Sequence, residues 1–426
     1  MSLSAPFSAL VGADRPAAVA EREARNGFLH LGALSLTKIA DGLVNPKLVL
    51  AWLLSSLGAP AAAIGALTPV REAGALLPQL AIARQLHRSP ARKWVWAIGA
   101  ALQGFAALGM AVVAATMEGP AAGWAIVGLL ALLAIARAAC SVTYKDALAR
   151  TVEKTRRGAV TGAAASAASL SVLGFGILLA AGVLPLTTAT IAGALALAGL
   201  LWLAGALLFV RLAEPSSEDE PASDTSSLLG AWKESRQLRL LIYGRALLSA
   251  TALAPPFLIV MSSMSGGASL GSLGPLILAS AGASILSAYV WGRLSDRSSR
   301  LTLLVAGALA AATLAGAAAF GWATGGLGGA TGAAAILFVA QIAYEGVRAG
   351  RKLHLTDMTT DENRARFTAV SNTMVGVALL AGGGFGFLAD VAGPAVVLAV
   401  FSAMCAAALP LVMQLDEVQQ QPSEQA

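Results

Sequence analysis

The stretch "TATIAGALALAGLLWLAGALLFV", residues 188–210, runs for 23 residues without a charge. At about 1.5 Å per residue, a helix of that length spans about 35 Å, enough to cross a hydrocarbon layer of roughly 30 Å. A strand of a membrane barrel alternates apolar and polar side chains over about ten residues, and this run does not alternate. The same Ala-, Gly- and Leu-rich texture fills most of the 426 residues, which are 57% apolar and 12% charged, against about 25% charged in ordinary soluble domains. Lipid is therefore the solvent of this chain, and its fold class is an all-α polytopic membrane protein.

Runs bounded by charges or turn signals predict spans near 27–50, 60–83, 94–116, 122–145, 158–183, 188–210, 239–262, 272–292, 301–320, 328–348, 367–389 and 394–413, which makes twelve transmembrane helices. The connections after the even spans two, four, eight and ten are rich in Lys and Arg, for example Arg84, Arg88, Arg92 and Lys93, or Lys145, Arg150, Lys154, Arg156 and Arg157. The opposite turns "TMEGP", "LPLT", "WATGGLGG" and "DVAGP" have none, and Lys47 is the only basic residue assigned to that side. An excess of basic residues marks the cytoplasmic side, so both termini are expected in the cytoplasm and the protein in the cytoplasmic (inner) membrane. The N-terminal residues Arg15, Glu21, Arg22, Glu23 and Arg25 do not form a secretory signal.

The net charge of +6 is strung through short loops and forms no basic domain, so contact with anionic lipid explains it better than nucleic acid. No G-x-x-x-x-G-K-[ST] run is present, and His30, His87 and His354 are far apart in the topology. Hence neither nucleotide hydrolysis, a metal nor another cofactor is expected, and the chain does not read as an enzyme. Cys140 and Cys405 fall inside spans, where small buried residues are the simplest reading. "GGGFG", residues 382–386, lies late in a span with no strand before it and reads as close helix packing.

"RLAEPSSEDEPASDTSS", residues 211–227, has the composition of a flexible linker, and "LLGAWKESRQLRLL" after it reads as an amphipathic surface helix with Trp232 toward lipid. The expected organisation is a cytoplasmic segment 1–26, a six-helix bundle 27–210, a linker 211–238, a second six-helix bundle 239–413 and a tail 414–426. The two halves echo each other. "RAACSVTYKDALARTVEKTRRGAVTG" from Arg137 and "RAGRKLHLTDMTTDENRARFTAVSN" from Arg348 each place an Asp nine residues after the Arg, at Asp146 and Asp357. "IARQLHRSPARK" and "WGRLSDRSSR" form a second echo. Two pseudo-symmetric bundles with a midplane site are a common transporter design.

"GRLSDRSSR", Gly292 to Arg300, resembles the loop signature G-x-L-[AS]-D-[RK]-x-x-[RK] of the major facilitator superfamily, in its second-half copy. "LGAPAAAIGAL", residues 57–67, is similar to the start of that family's second helix. The resemblance implies a transporter working by alternating access, with Gly292, Asp296, Arg297 and Arg300 as gating residues and an Asp296 lock to Arg297 or Arg300. The first-half copy departs from the signature, with Ala83 and His87 in place of its Gly and Asp, which puts the gate in the second half. "GAVTGAAASAASLSVLGFG" lacks the Gly-Pro typical of the fifth helix of drug/proton antiporters.

Charges inside the spans point to the site. In "TKIADGLVNPK", residues 37–47, Lys38 falls about 11 residues into the first span, near mid-depth, and Lys38, Asp41 and Asn45 share a helical face at i, i+3 and i+7. Arg71 and Glu72 fall at a similar depth of the second span. Unpaired and facing lipid, these four ionisable groups would together cost about 10 kcal/mol, so they must line a cavity or pair. Structural pairing of Lys38 with Asp41, and of Arg71 with an acid across the helices, is the plain alternative to use. In the second half, Gln341, Glu345, Arg348 and Lys352 share a face with Tyr344 beside them, Arg245 lies in the inner part of span seven, and Asn372 in that of span eleven. Arg348 can also snorkel, and Glu345 can pair with it. Arg137 shares a face with Ser141 and Tyr144.

The function expected is secondary active transport of a small polar or amphipathic solute. An anion is favoured, because Lys38, Arg71, Arg137 and Arg245 outnumber the acids. Asn45, Gln341, Tyr344 and Asn372 supply hydrogen bonds, and Asp41, Glu72 and Glu345 can take up and release a proton. H+ is thus the expected coupling ion, and a monomer suffices to enclose a pathway. Alternatives are a proton-driven exporter of cationic or amphipathic drugs, and a non-transporting ligand sensor or membrane-complex assembly factor. Single cysteines at Ser89 and Ser298 should be shielded from an impermeant thiol reagent in right-side-out vesicles, while one at Gly119 should react; labelling of the first pair from outside would reverse the orientation.

Overall fold

The computed structural model describes residues 3–11, 20–79, 82, 92–214, 232, 235–263 and 273–419. The first-half signature with Ala83 and His87, and residues 228–231, 233 and 234 of the expected surface helix, lie outside them; residues 236–241 of that expected surface helix belong instead to the helix that opens the seventh crossing. A short helix α1 (Ser4–Val11) precedes the first crossing, which is broken into α2 (Glu21–Leu43) and α3 (Val49–Ser56). Then come α4 (Ala61–Leu76), α5 (Arg92–Thr116), α6 (Gly119–Thr151), α7 (Arg157–Ala180) and α8 (Thr188–Val210). The second half begins with another broken crossing, α9 (Arg236–Leu248) and α10 (Ala250–Ser263). It continues with α11 (Leu273–Arg297), α12 (Ser299–Thr324), α13 (Gly329–Asp357), α14 (Asp361–Ala381), a 3₁₀ turn at Gly382–Gly384, α15 (Phe385–Ala392) and α16 (Pro394–Met413). Twelve crossings result.

Proline explains the break in the first crossing. Pro46 cannot donate to a helical carbonyl, and the released donors of Lys47 and Leu48 turn to the Asn45 side chain, at 3.0 and 3.3 Å. Asn45 is therefore a turn residue at the break and does not continue the face of Lys38 and Asp41. The expected end of the first span near residue 50 is also corrected: the chain stays in the layer to Ser56. In the seventh crossing the helix breaks at Ser249, and Pro255 and Pro256 lie just beyond inside α10.

Several helices start on side-chain caps: Thr187 accepts from Thr190, Ser235 from Leu238, and Ser298 from Leu301. α6 and α13 run past the apolar spans into the polar layer, since their last turns have no need of lipid. Large apolar side chains such as Leu170, Leu207 and Val391 face outward, as a lipid-embedded surface requires. Trp232 does not face lipid as expected: it meets Tyr243 edge-on at 5.4 Å and packs on the core.

In the first half α5 packs on α6 and α8, α2 on α7 and α8, and α4 on α6; in the second, α12 packs on α13 and α16, and α11 on α13. A further duplication joins the bundle ends. "RLAE" (211–214) after α8 places Glu214 on the N-terminus of α5, accepting from Arg92 N and Lys93 N at 3.2 and 2.9 Å. "QLDE" (414–417) after α16 places Glu417 on the start of α12, where it accepts from Ser298 Oγ at 2.9 Å and pairs with Arg300 at 3.3 Å.

The halves meet closely at the end where α4 and α11 begin. A Cβ on Gly65 would lie 2.6 Å from Gly386 Cα, and one on Gly274 2.5 Å from Ala180 N, so only glycine permits these backbone approaches. Beside them Asp390 of α15 accepts from Ala61 N and Ala62 N of α4 at 2.8 and 2.9 Å, a carboxylate on the positive end of a helix supplied by the other half. Asp390→Ala should lower the melting temperature in detergent by a few degrees, because cap loss costs about 1 kcal/mol. Asp390→Asn, which keeps one acceptor, should lose less; an unchanged melting temperature in the alanine variant would show the cap to be idle.

Candidate functional site

Two contiguous cavities of about 390 and 550 Å³ lie between the halves and share Asp41, Asn45, Ser280 and Ser284. Helices from both halves line them: α2 and its break, α4 and α7 on one side, α10, α11 and α13 on the other. The break at Pro46 matters here, because irregular backbone inside a membrane is tolerated where it lines a cavity.

Asp41 is the hub. It accepts from Arg71 Nη2 of α4 at 2.6 Å and, through its other oxygen, from Arg137 Nη1 of α6. Both guanidinium groups thus share one carboxylate. Lys38, one turn earlier, lines the same space but has no ion pair among the described residues, so the expected Lys38–Asp41 pair is replaced by the two arginines. The physical reason is reach: the forked guanidinium groups from facing helices bind a carboxylate along its lone pairs, which Lys38 on the same helix does not.

Lys47 is a correction. It does not sit at the outer surface: because the first crossing extends to Ser56, Lys47 points into the cavity, 3.9 Å from Glu72 and 3.8 Å from the centre of the Tyr344 ring. The apolar run "LVLAWLLSS" after it was the available signal, since a crossing that ended at residue 50 would have left it in water. On α13, Glu345 accepts from Gln341 at 3.1 Å, Ser284 at 3.3 Å and Arg348 at 3.4 Å, a small network at the mouth of the cavity. Arg348 is exposed there.

The structure brings together Lys38, Asp41, Asn45, Arg71, Glu72, Arg137, Gln341, Tyr344, Glu345 and Arg348. It does not bring Arg245 or Asn372 to the cavity walls. Arg245 is buried in α9, bonded to Ser371 of α14, with its Nε unpartnered. Asn372 follows Ser371, and neither lines the two cavities. Among the described lining residues five cations, Lys38, Lys47, Arg71, Arg137 and Arg348, face three acids.

The stretch Gly292 to Arg300 is the end of α11 and the start of α12 and not a loop; in it Asp296 is exposed and has no ion pair among the described residues. The expected lock to Arg297 or Arg300 is not formed, because Arg300 is held by Glu417 and by the Leu415 carbonyl at 3.0 Å. A Cβ on Gly292 would meet nothing within 4 Å. No group of His, Cys, Asp and Glu with metal-ligand geometry occurs among the described residues.

The fold has close counterparts. The crystal structure of a variant of the nucleoside transporter NupG aligns over 91% of this chain and 99% of its own, with a TM-score of 0.69 at 13% identity. A POT family transporter in complex with a thioalcohol-conjugated peptide aligns over 91% and 95%, with a TM-score of 0.68 at 12% identity. No curated protein matches by sequence. The family model of the Major Facilitator Superfamily matches residues 31–349, from within the first crossing to the middle of α13. That match, together with twelve crossings in two duplicated halves around a charged central cavity, makes the chain a multi-pass membrane transporter that belongs to the major facilitator superfamily.

Proposed function

We propose that the chain is a secondary active transporter that moves a small polar or amphipathic anion across the cytoplasmic membrane by alternating access, as a monomer coupled to protons. The observation that carries this reading is the charge balance of the central cavity, where five cations face three acids. Each acid already has a cationic partner: Asp41 with Arg71 and Arg137, Glu72 with Lys47, Glu345 with Arg348. No free carboxylate is left among them for a cationic drug, while Lys38 has no acid, which favours the anion over the exporter reading. In a site of low dielectric an unmatched ammonium binds a solute carboxylate or phosphate far more strongly than in water.

Asp41 supplies the coupling. While it is ionised it holds Arg71 and Arg137; when a solute anion takes a guanidinium, a carboxylate in a poorly hydrated site loses its partner, and a proton replaces it. One site thereby links solute to proton. With both termini in the cytoplasm, the glycine contacts and the Asp390 cap close the outer end, and the cavity mouth at Arg348 faces inward. In this scheme Asp296 engages only when that inner mouth closes, and Gly292, Arg297 and Arg300 belong to the same gate.

With a solute found by a stabilisation screen of the purified protein, Asp41→Asn should bind at least as tightly as the parent, because both guanidinium groups are released, yet fail to accumulate solute in proteoliposomes under an inward proton gradient. Lys38→Met should weaken binding about tenfold, the equivalent of one charge-assisted contact. Accumulation by Asp41→Asn at the parental level would remove Asp41 as the proton carrier and leave it a brace between helices.

A further inference from the structure

Behind the Asp41 hub lies a third cavity, of about 210 Å³, inside the first half among α2, α5, α6 and α8. Asp41 and Arg137 line both it and the central cavity, so their ion pair forms the partition between the two. Three aromatic residues, Trp96, Tyr144 and Trp202, line this chamber beside the charged Lys38, Asp41, Arg137 and Lys145. Trp96 of α5 and Trp202 of α8 are buried, and Trp96 is held in place by stacking on Phe209 at 4.0 Å. Tyr144 of α6 is held edge-on by His30 at 5.5 Å. Rings fixed in this way present flat apolar walls that pay no ordering entropy when another ring packs against them.

The chamber also has polar groups without partners. The Tyr144 hydroxyl is buried and makes no hydrogen bond. Gln103 uses only its amide nitrogen, to Gly99 O at 3.2 Å and Cys140 Sγ at 3.3 Å, which leaves its carbonyl oxygen. Lys38, the cation without an acid, stands at the edge of the chamber. Size fits the choice: an apolar cavity of roughly 150 Å³ takes up one benzene ring, so a space of about 210 Å³ accepts one ring with a substituent.

We propose that this side chamber is the specificity pocket of the transport site and receives the ring of a single-ring aromatic carboxylate whose anionic group lies at Lys38 and Arg137. The proposal rests on the anion-transport reading above and adds the substrate class to it. On arrival the carboxylate competes with Asp41 for Arg137, the partition opens, and the ring moves behind it. Transport of aromatic acids is thereby tied to the same ion pair that carries the proton.

Equilibrium binding of radiolabelled benzoate to the purified full-length protein, with hexanoate, cyclohexanecarboxylate and benzylamine as competitors, tests the assignment. Benzoate should bind saturably and be displaced poorly by all three, at least tenfold worse than by unlabelled benzoate. Ser141→Phe, which fills the chamber from its exposed rim, and Trp202→Leu, which removes a wall, should each weaken benzoate at least tenfold; the rim variant keeps the test valid should the buried one misfold. Displacement by hexanoate as efficient as by benzoate, unaltered benzoate binding in Ser141→Phe, or no saturable benzoate binding by the folded parent would overturn the pocket. If hexanoate binds and is lost in Lys38→Met, the anion reading stands without the pocket, whereas stronger displacement by benzylamine than by benzoate removes both.

Discussion

A carboxylate shared by two guanidinium groups inside a low-dielectric layer obliges three helices to meet in one register. Each of these charges alone would cost roughly 2.5–3.5 kcal/mol at the centre of a membrane helix. Deleting one member of such a buried set costs about 3–5 kcal/mol, because the others are left uncompensated. Asp41, Arg71 and Arg137 therefore fix α2 against α4 and α6 more firmly than the Ala- and Gly-rich packing around them could. The helix break at Pro46 follows within two turns, and it delivers Lys47 into the cavity, where it touches Glu72 of its own half and Tyr344 of the other.

Hydropathy made the architecture legible. By length and composition nine described helical stretches can cross a membrane, and the three crossings that fall short are the first, second and tenth. These are the crossings that carry Lys38, Asp41 and Lys47, Arg71 and Glu72, and Glu345 and Arg348. Charged side chains of the cavity lower the hydropathy of the helices that carry them, but α4 falls short by its 16-residue length, and Arg137 of the hub sits on α6, which is long and apolar enough to qualify. Depth counting from the charged ends then found most of the cavity. It failed at Lys47 because Pro46 reads locally as the end of a helix, although the seven residues after Lys47 are apolar. It failed at Arg245 because helix depth says nothing of rotation, and the side chain turns to Ser371 inside the second half.

The aromatic chamber was invisible for a different reason. Trp96, Gln103, Cys140, Tyr144 and Trp202 come from three helices and show no pattern of spacing that separates a pocket wall from ordinary core. Only the unpartnered Tyr144 hydroxyl and the space beside it mark the difference, and both need coordinates. The duplicated "RLAE" and "QLDE" were short enough to arise by chance in sequence; their equal placement on the N-termini of α5 and α12 gives them a meaning. An acid there stabilises a helix end and ties the last helix of each half to its third.

The distribution of strong and weak contacts suits the proposed alternating-access cycle, in which the halves rock. The costly ionic contacts of the hub lie within the first half and need not break when the halves move. Between the halves at the closed end there are glycine backbone contacts and the two hydrogen bonds from α4 to Asp390. A cap of this kind contributes about 1 kcal/mol net, because water takes the place of its bonds when they open. A conformational equilibrium held by a few kcal/mol can be shifted by a solute with a comparable difference in affinity for the two states. In the proposed cycle a change of partner at Asp41 acts on Arg71 of α4, the helix whose N-terminus Asp390 holds. Charge exchange at the centre and release at the end would then act on one helix, with Pro69 between the two points.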